Sequence, residues 1–213
     1  MTNKHYFLLL AVLSFSTIFT VFSLTGTDTG ISRLMWTYTI GDQASDFRLK
    51  NVDGNMVSMK DFPEARGFIL VFTCNTCPYS VANEDRIIAL DKQYKAKGYP
   101  VIAVNPNNPV SSPGDSFEQM QKRAKEKGFT FPYLLDQGQQ VYPEYGASRT
   151  PHVYVLQKRQ EDLIVKYIGS IDDSPRNAGT VKTKFVENAV DALLSGQDVP
   201  LQETKAIGCS IKK

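Results

Sequence analysis

Two of the three cysteines in this chain are separated by only two residues. Cys74 and Cys77 form a Cys-x-x-Cys pair, which can serve as a redox dithiol or as half of a structural zinc site. A zinc site needs four ligands, and beyond this pair the sequence has only Cys209 and the histidines His5 and His152. His5 lies in a separate N-terminal segment, so the sequence favours a redox dithiol that needs no metal or organic cofactor.

The residues around the pair place it between a predicted strand and a predicted helix. The apolar run 68–72 predicts a strand that is buried on both faces. Pro78 predicts that a helix begins directly after Cys77, because proline is favoured in a first helical turn. Unpaired N–H groups and the positive end of the helix dipole would stabilise a thiolate at Cys74. We therefore expect Cys74 to attack, with a lowered pKa, and Cys77 to resolve the mixed disulfide.

Strands and helices alternate along the rest of the chain. Asn51-Val52-Asp53-Gly54 lies between two short strand-like runs and predicts a β-hairpin. Apolar runs and periodicity predict further strands at 101–104, 131–135, 153–156 and 163–168, and helices within 78–98, 112–128, 140–145 and 185–193. This alternation predicts an α/β domain whose central sheet has helices on both faces.

The motifs at the cysteines resemble those of the thioredoxin-like superfamily. Residues 73–79 read Thr-Cys-Asn-Thr-Cys-Pro-Tyr after a predicted strand, and Thr150-Pro151 opens a later strand. The segments 149–152 and 208–212 also look like those of exported or bacterial thioredoxin-family proteins. The similarity extends from about residue 40 to the last residue of the chain.

A narrower resemblance is to the redoxin branch, which is related to alkyl hydroperoxide reductase and thiol-specific antioxidant proteins. Residues 41–47 read Gly-Asp-Gln-Ala-Ser-Asp-Phe and resemble the opening Gly-x-x-Ala-Pro-Asp-Phe of that branch. Ser45 stands in the place of the proline.

The resemblance implies a thioredoxin-like fold with a central mixed sheet and the hairpin as an N-terminal extension. It implies that a Cys74–Cys77 disulfide is exchanged with protein or small-thiol substrates, and that a thioredoxin-type protein is the redox partner. It also implies that Thr150-Pro151 is a cis bond facing the dithiol, where the loop backbone pairs with a substrate's extended chain. An ordinary edge-strand proline is the alternative interpretation of Pro151.

Departures from the thioredoxin pattern leave the reaction direction open. Phe72-Thr73 precedes the pair where a tryptophan is familiar, and Asn75-Thr76 replaces Gly-Pro between the cysteines. The strand 68–72 contains no carboxylate where thioredoxins keep a buried acid. No group is therefore assigned to move a proton to or from Cys77.

Two other functions stay open as alternatives. A thiol peroxidase of the peroxiredoxin type would use Cys77, because Cys77-Pro78 looks like the Cys-Pro of the peroxidase signature. That signature has threonine at the position of Cys74. A copper-binding carrier would hold Cu(I) through the soft ligands Cys74 and Cys77 together with His152.

Arg149, His152 and Cys209 are candidate accessory residues. Arg149 would stabilise a thiolate, or would be an ordinary surface arginine. His152 would tune the pair, or would be a half-exposed strand histidine beside it. Cys209 would be a third redox thiol, although an inert buried side chain is the simpler interpretation.

The N-terminal segment predicts export. Lys4 precedes the uncharged apolar run 6–24, whose length lies between that of a signal-peptide core and that of a membrane span. We predict a signal peptide or anchor at 1–24, a linker at 25–39 and a thioredoxin-like domain at 40–213. The protein would be periplasmic, or anchored to the inner membrane facing the periplasm and in contact with the membrane only through 6–24.

The composition agrees with one ordinary globular domain. Hydrophobic residues make up 42% and charged residues 22% of the chain, and the net charge is +2. Such a balanced charge argues against a nucleic-acid partner. In an oxidising compartment a dithiol must be recharged by another redox protein.

Overall fold

The computed structural model of this protein describes residues 37–213. The predicted signal or anchor at 1–24 and the linker residues 25–36 lie outside the described residues, and the domain boundary at residue 40 stays a prediction. Within 37–213, none of the helices combines the length and the apolar character needed to span a bilayer.

The described residues form ten strands and four α-helices. The strands are β1 (Gln43–Ala44), β2 (Arg48–Asn51), β3 (Met56–Ser58), β4 (Gly67–Phe72), β5 (Val101–Asn105), β6 (Tyr133–Leu135), β7 (Arg149–Thr150), β8 (His152–Arg159), β9 (Asp162–Gly169) and β10 (Cys209–Ser210). The helices are α1 (Pro78–Tyr94), α2 (Phe117–Lys127), α3 (Val141–Tyr145) and α4 (Phe185–Leu194).

One mixed sheet of eight strands organises the domain, in the order β1-β9-β8-β4-β5-β6-β2-β3. The central strands β4, β5 and β6 are parallel, and β8 is antiparallel to β4. The predicted hairpin forms from β2 and β3, and Gly54 in its turn has φ +94°, which favours glycine. The short strands β7 and β10 pair separately.

The two faces of β4 fill two apolar cores, because successive strand residues point to opposite sides. Ile69 and Val71 join a core that contains α1, α2 and α4 residues. Phe68, Leu70 and Phe72 join a second core, which is covered by α3 and by the first strands. The predicted layers are confirmed, but the helices divide unequally between the two faces.

Candidate active site

The cysteine pair lies between β4 and α1, as the sequence predicted. The backbone N–H of Thr73 still bonds the Val104 carbonyl at 2.9 Å, so the chain leaves the sheet immediately before Cys74. Pro78 is the first residue of α1 and Cys77 is its N-cap. The cysteine at the helix terminus is therefore Cys77, because the proline fixes the helix start after the second cysteine rather than the first.

Both sulfurs meet Thr150, the residue before a cis proline. The Cys74 sulfur lies 3.3 Å from the Thr150 hydroxyl, and the Cys77 sulfur lies 3.0 Å from the Thr150 carbonyl oxygen. The Thr150–Pro151 bond is cis, which confirms that expectation. Both cysteines are free thiols, with only 3% and 2% of their surfaces exposed.

The pKa shifts of the two cysteines are opposite to the expectation that Cys74 has the lowered pKa. Hydrogen bonding from Cys74, then from the Cys209 thiol and from the backbone N–H groups of Ser80 and Cys209, lowers the pKa of Cys77 to about 4. Burial and the hydrogen bond from the Cys77 thiol to the Thr150 carbonyl act in the opposite direction and favour the protonated thiol. The direction of this shift favours the thiolate at Cys77 in the reduced pair.

Cys74 shows the opposite shift. Its hydrogen bond to Cys77, its burial and the charge of Asp115 all raise the pKa of the Cys74 thiol. The prediction that Cys74 has the lowered pKa is wrong. The physical reason is that a dithiol whose members share a hydrogen bond carries one charge, and that charge resides where donors are available.

A buried carboxylate that the sequence analysis missed supports the loop between the cysteines. Asp115 is fully buried and accepts hydrogen bonds from the Asn75 backbone N–H at 2.7 Å and the Thr76 hydroxyl at 2.7 Å. It also accepts from the Ser112 hydroxyl at 2.6 Å and the Asn107 amide at 2.8 Å. The buried acid therefore comes from the loop after β5, and not from the strand before the cysteines.

His152 lies on β8 beside Tyr154, with the ring centroids 5.0 Å apart. Its Nδ1 accepts the Ser148 backbone N–H at 3.4 Å, and burial lowers the pKa of His152 to about 4. The three ligands expected for copper do not come together, since no group of three or more His, Cys, Asp or Glu side chains in 37–213 is arranged to hold a metal.

Arg149 lies on β7 and Cys209 lies on β10, and these two strands form the short separate sheet. Cys209 lies opposite Thr150 in the antiparallel register, and Ser210 lies opposite Arg149. The Arg149 guanidinium donates to the Ser210 hydroxyl at 2.8 Å, so its contact is with the C-terminal strand. Of the three accessory candidates, Cys209 is the one whose groups act on the Cys77 sulfur.

Comparison with known proteins gives a consistent result. Residues 40–168 match the family model described as the AhpC/TSA family. The thiol-disulfide oxidoreductase ResA of Halalkalibacterium halodurans is 27% identical over 153 residues, which cover 72% of this chain and 79% of that protein.

Two solved structures are similar over most of the chain. An uncharacterized conserved protein from Geobacillus kaustophilus is 38% identical with a TM-score of 0.76, covering 83% of this chain and 93% of that one. A protein from Sinorhizobium meliloti is 31% identical with a TM-score of 0.76, covering 83% of this chain and 96% of that one.

Proposed function

We propose that this protein exchanges disulfides through Cys74 and Cys77, with Cys77 as the attacking thiolate. The chain belongs to the AhpC/TSA family of the thioredoxin-like superfamily and is a thiol–disulfide oxidoreductase. The observation that supports this order is the set of donors around the Cys77 sulfur at the N-cap of α1. A thiolate is the nucleophilic form in disulfide exchange.

The exchange runs in two steps. The Cys77 thiolate attacks one sulfur of a substrate disulfide, and the other substrate sulfur leaves as a thiolate that takes up a proton. Formation of the mixed disulfide removes the negative charge from Cys77. Cys74 can then lose its proton. Cys74 then attacks the Cys77 sulfur, forms the Cys74–Cys77 disulfide and releases the second substrate thiol.

Thr150 and Pro151 are the proposed substrate-docking residues. Thr150 touches both sulfurs, so a chain that displaces the C-terminal strand β10 and pairs with the Thr150 backbone would present a cystine directly to Cys77. Protein disulfides are the proposed substrates, because their extended segments supply the backbone groups for such pairing. A thioredoxin-type dithiol protein is the proposed redox partner.

Export is part of the proposal. Lys4 and the apolar run 6–24 support a location in the periplasm, or at the inner membrane facing the periplasm. A reporter that is active only in the cytoplasm, fused after Leu49, should be inactive. An active fusion would contradict export.

Three assays separate the proposed function from its rivals. The protein should reduce insulin disulfides in the presence of dithiothreitol, and the variant Cys74→Ser/Cys77→Ser should not. Peroxide consumption and Cu(I) titration are run on the same samples. Insulin reduction no faster than that of the double variant would overturn the proposal.

A thiol peroxidase is the second candidate. One observation favours it: Cys77 is a helix N-cap thiolate with a pKa near 4, and a thiolate is also what attacks peroxide. Under this alternative Cys74→Ser would still consume peroxide and would form a sulfenic acid at Cys77. Under the proposed function the same variant consumes little peroxide.

The reduction potential of the pair should change weakly with pH. Cys77 has a pKa of about 4 and stays a thiolate, whereas Cys74, with its raised pKa, takes up a proton on reduction. With two electrons and one proton, the potential should fall by about 30 mV per pH unit near neutral pH. Redox titration with alkylation and mass mapping of the Cys74–Cys77 disulfide measures this slope.

A slope of about 59 mV per unit would mean that both thiols are protonated, and would contradict the assignment of Cys77 as the thiolate. The same titration gives the reaction direction. A potential near the thioredoxin value of about −270 mV indicates a reductant, and one near about −120 mV indicates an oxidant.

A further inference from the structure

The C-terminal strand lies directly on the peptide that precedes the cis proline. β10 pairs antiparallel with β7, which places Cys209 opposite Thr150. The approach is so close that a Cβ built on Gly208 would lie 2.1 Å from the Thr150 carbonyl oxygen and 3.1 Å from the Pro151 nitrogen. The tail backbone therefore occupies the edge at which a substrate chain is proposed to pair.

The residues after Cys209 fix this position from the other side. Ile211 is buried in the second core with only 9% of its surface exposed. The Lys212 backbone N–H donates to the Asn107 side-chain oxygen at 2.9 Å, and the Lys212 carbonyl accepts from the Asn108 backbone N–H at 2.9 Å and the Gln139 amide at 2.7 Å. The tail is thus a packed element of the site.

The three thiols differ in their access to solvent. Cys74 and Cys77 are 3% and 2% exposed, and Thr150 is fully buried. Cys209 is half-buried, and its side chain and backbone N–H both act on the Cys77 sulfur. A partner protein therefore meets Cys209 before it meets the buried pair.

We propose that Cys209 is a third redox thiol that relays electrons between the buried Cys74–Cys77 pair and an external dithiol protein. This relay rests on the proposed function, because it recharges the same pair. The C-terminal strand β10 then occupies the position at Thr150 where a substrate strand is proposed to pair.

The relay balances as a series of thiol–disulfide exchanges. Cys209 loses a proton and attacks the Cys77 sulfur of the Cys74–Cys77 disulfide, so that Cys74 leaves and takes up a proton. A thiolate of the external dithiol then attacks the Cys209 sulfur of the Cys77–Cys209 disulfide. Cys77 leaves as a thiolate, which is favourable because a thiol with a lower pKa is a better leaving group.

The second external thiol completes the cycle. It loses its proton and attacks the partner's own sulfur in the mixed disulfide with Cys209, which releases Cys209 as a thiol. The external dithiol has been oxidised to a disulfide, and Cys74 and Cys77 have received its two electrons.

The first test maps disulfides in the full chain. After mild oxidation, Cys74→Ser should contain an intramolecular Cys77–Cys209 disulfide and no free thiol. The matched control is Cys74→Ser/Cys209→Ser/Ser210→Cys, which moves the thiol by one residue to the opposite side of the strand. The control should keep both thiols free within the molecule. Absence of the Cys77–Cys209 bond in Cys74→Ser would overturn the relay.

The second test measures reduction of the oxidised pair by a thioredoxin-type protein. Cys209→Ser should slow this reduction by about tenfold or more, while reduction by a small phosphine changes little. If Cys209 only covers the pair, the variant would be reduced at the wild-type rate or faster, and the relay would be wrong. Wild type serves as the separate check, because its failure to form a Cys74–Cys77 disulfide would overturn the proposed function itself.

Discussion

Cys77→Ser should lose disulfide exchange, by about 100-fold or more at pH 7, because burial and the charge of Asp115 still raise the pKa of the remaining Cys74 thiol. Cys74→Ser keeps the nucleophile and loses only one of the thiols that resolve the mixed disulfide. The variant Cys74→Ser/Cys209→Ser lacks both resolving thiols. It should therefore accumulate covalent adducts with substrate proteins through Cys77.

The matched variant for this experiment is Cys77→Ser/Cys209→Ser, which keeps Cys74 alone. Adducts are counted on non-reducing gels and must disappear with dithiothreitol. Adducts in the matched variant, together with none in Cys74→Ser/Cys209→Ser, would show that Cys74 attacks. That outcome would restore the order that the sequence alone predicts.

Asp115→Ala should be the most destabilising substitution near the site. The carboxylate accepts five hydrogen bonds, two of them from the residues between the cysteines and the longest, at 3.5 Å, from the Asn105 amide. Each buried donor left without a partner costs about 1–3 kcal/mol, and these costs are not additive. We expect the free energy of unfolding to fall by about 3–5 kcal/mol, measured by denaturant titration of the reduced protein.

Asp115→Asn tests the electrostatic role separately. It removes the negative charge that helps to raise the pKa of Cys74, so that pKa should fall. The measurement is thiolate absorbance against pH in the Cys77→Ser/Cys209→Ser background, which keeps Cys74 alone. Asp136→Asn is the control, because Asp136 is a buried carboxylate bonded to the backbone N–H groups of Gln140, Val141 and Tyr142 instead.

Asp136→Asn should destabilise the protein without moving the pKa of Cys74. Equal shifts of that pKa in both variants would mean that a general loosening of the fold is responsible. An unchanged unfolding free energy in Asp115→Ala would contradict the structural role of Asp115 in the cysteine loop.

Local sequence patterns encode three features that position the cysteine pair. The run 68–72 is apolar on every residue and forms the central strand β4. Pro78 begins α1, and Asp53-Gly54 turns the hairpin. Each of these features depends on backbone preferences and burial within a few residues, so the local sequence is sufficient to predict it.

The pKa values of the two cysteines depend on contacts that only the folded chain makes. A pKa depends on burial and on the donors and charges nearby, and these come to Cys77 from Cys209 and to Cys74 from Asp115. In the sequence, Asp115 belongs to a helix-start signal and Cys209 to a tail without periodicity. Only the fold brings both to the pair, because strand pairing and loop packing join residues that are far apart in the chain.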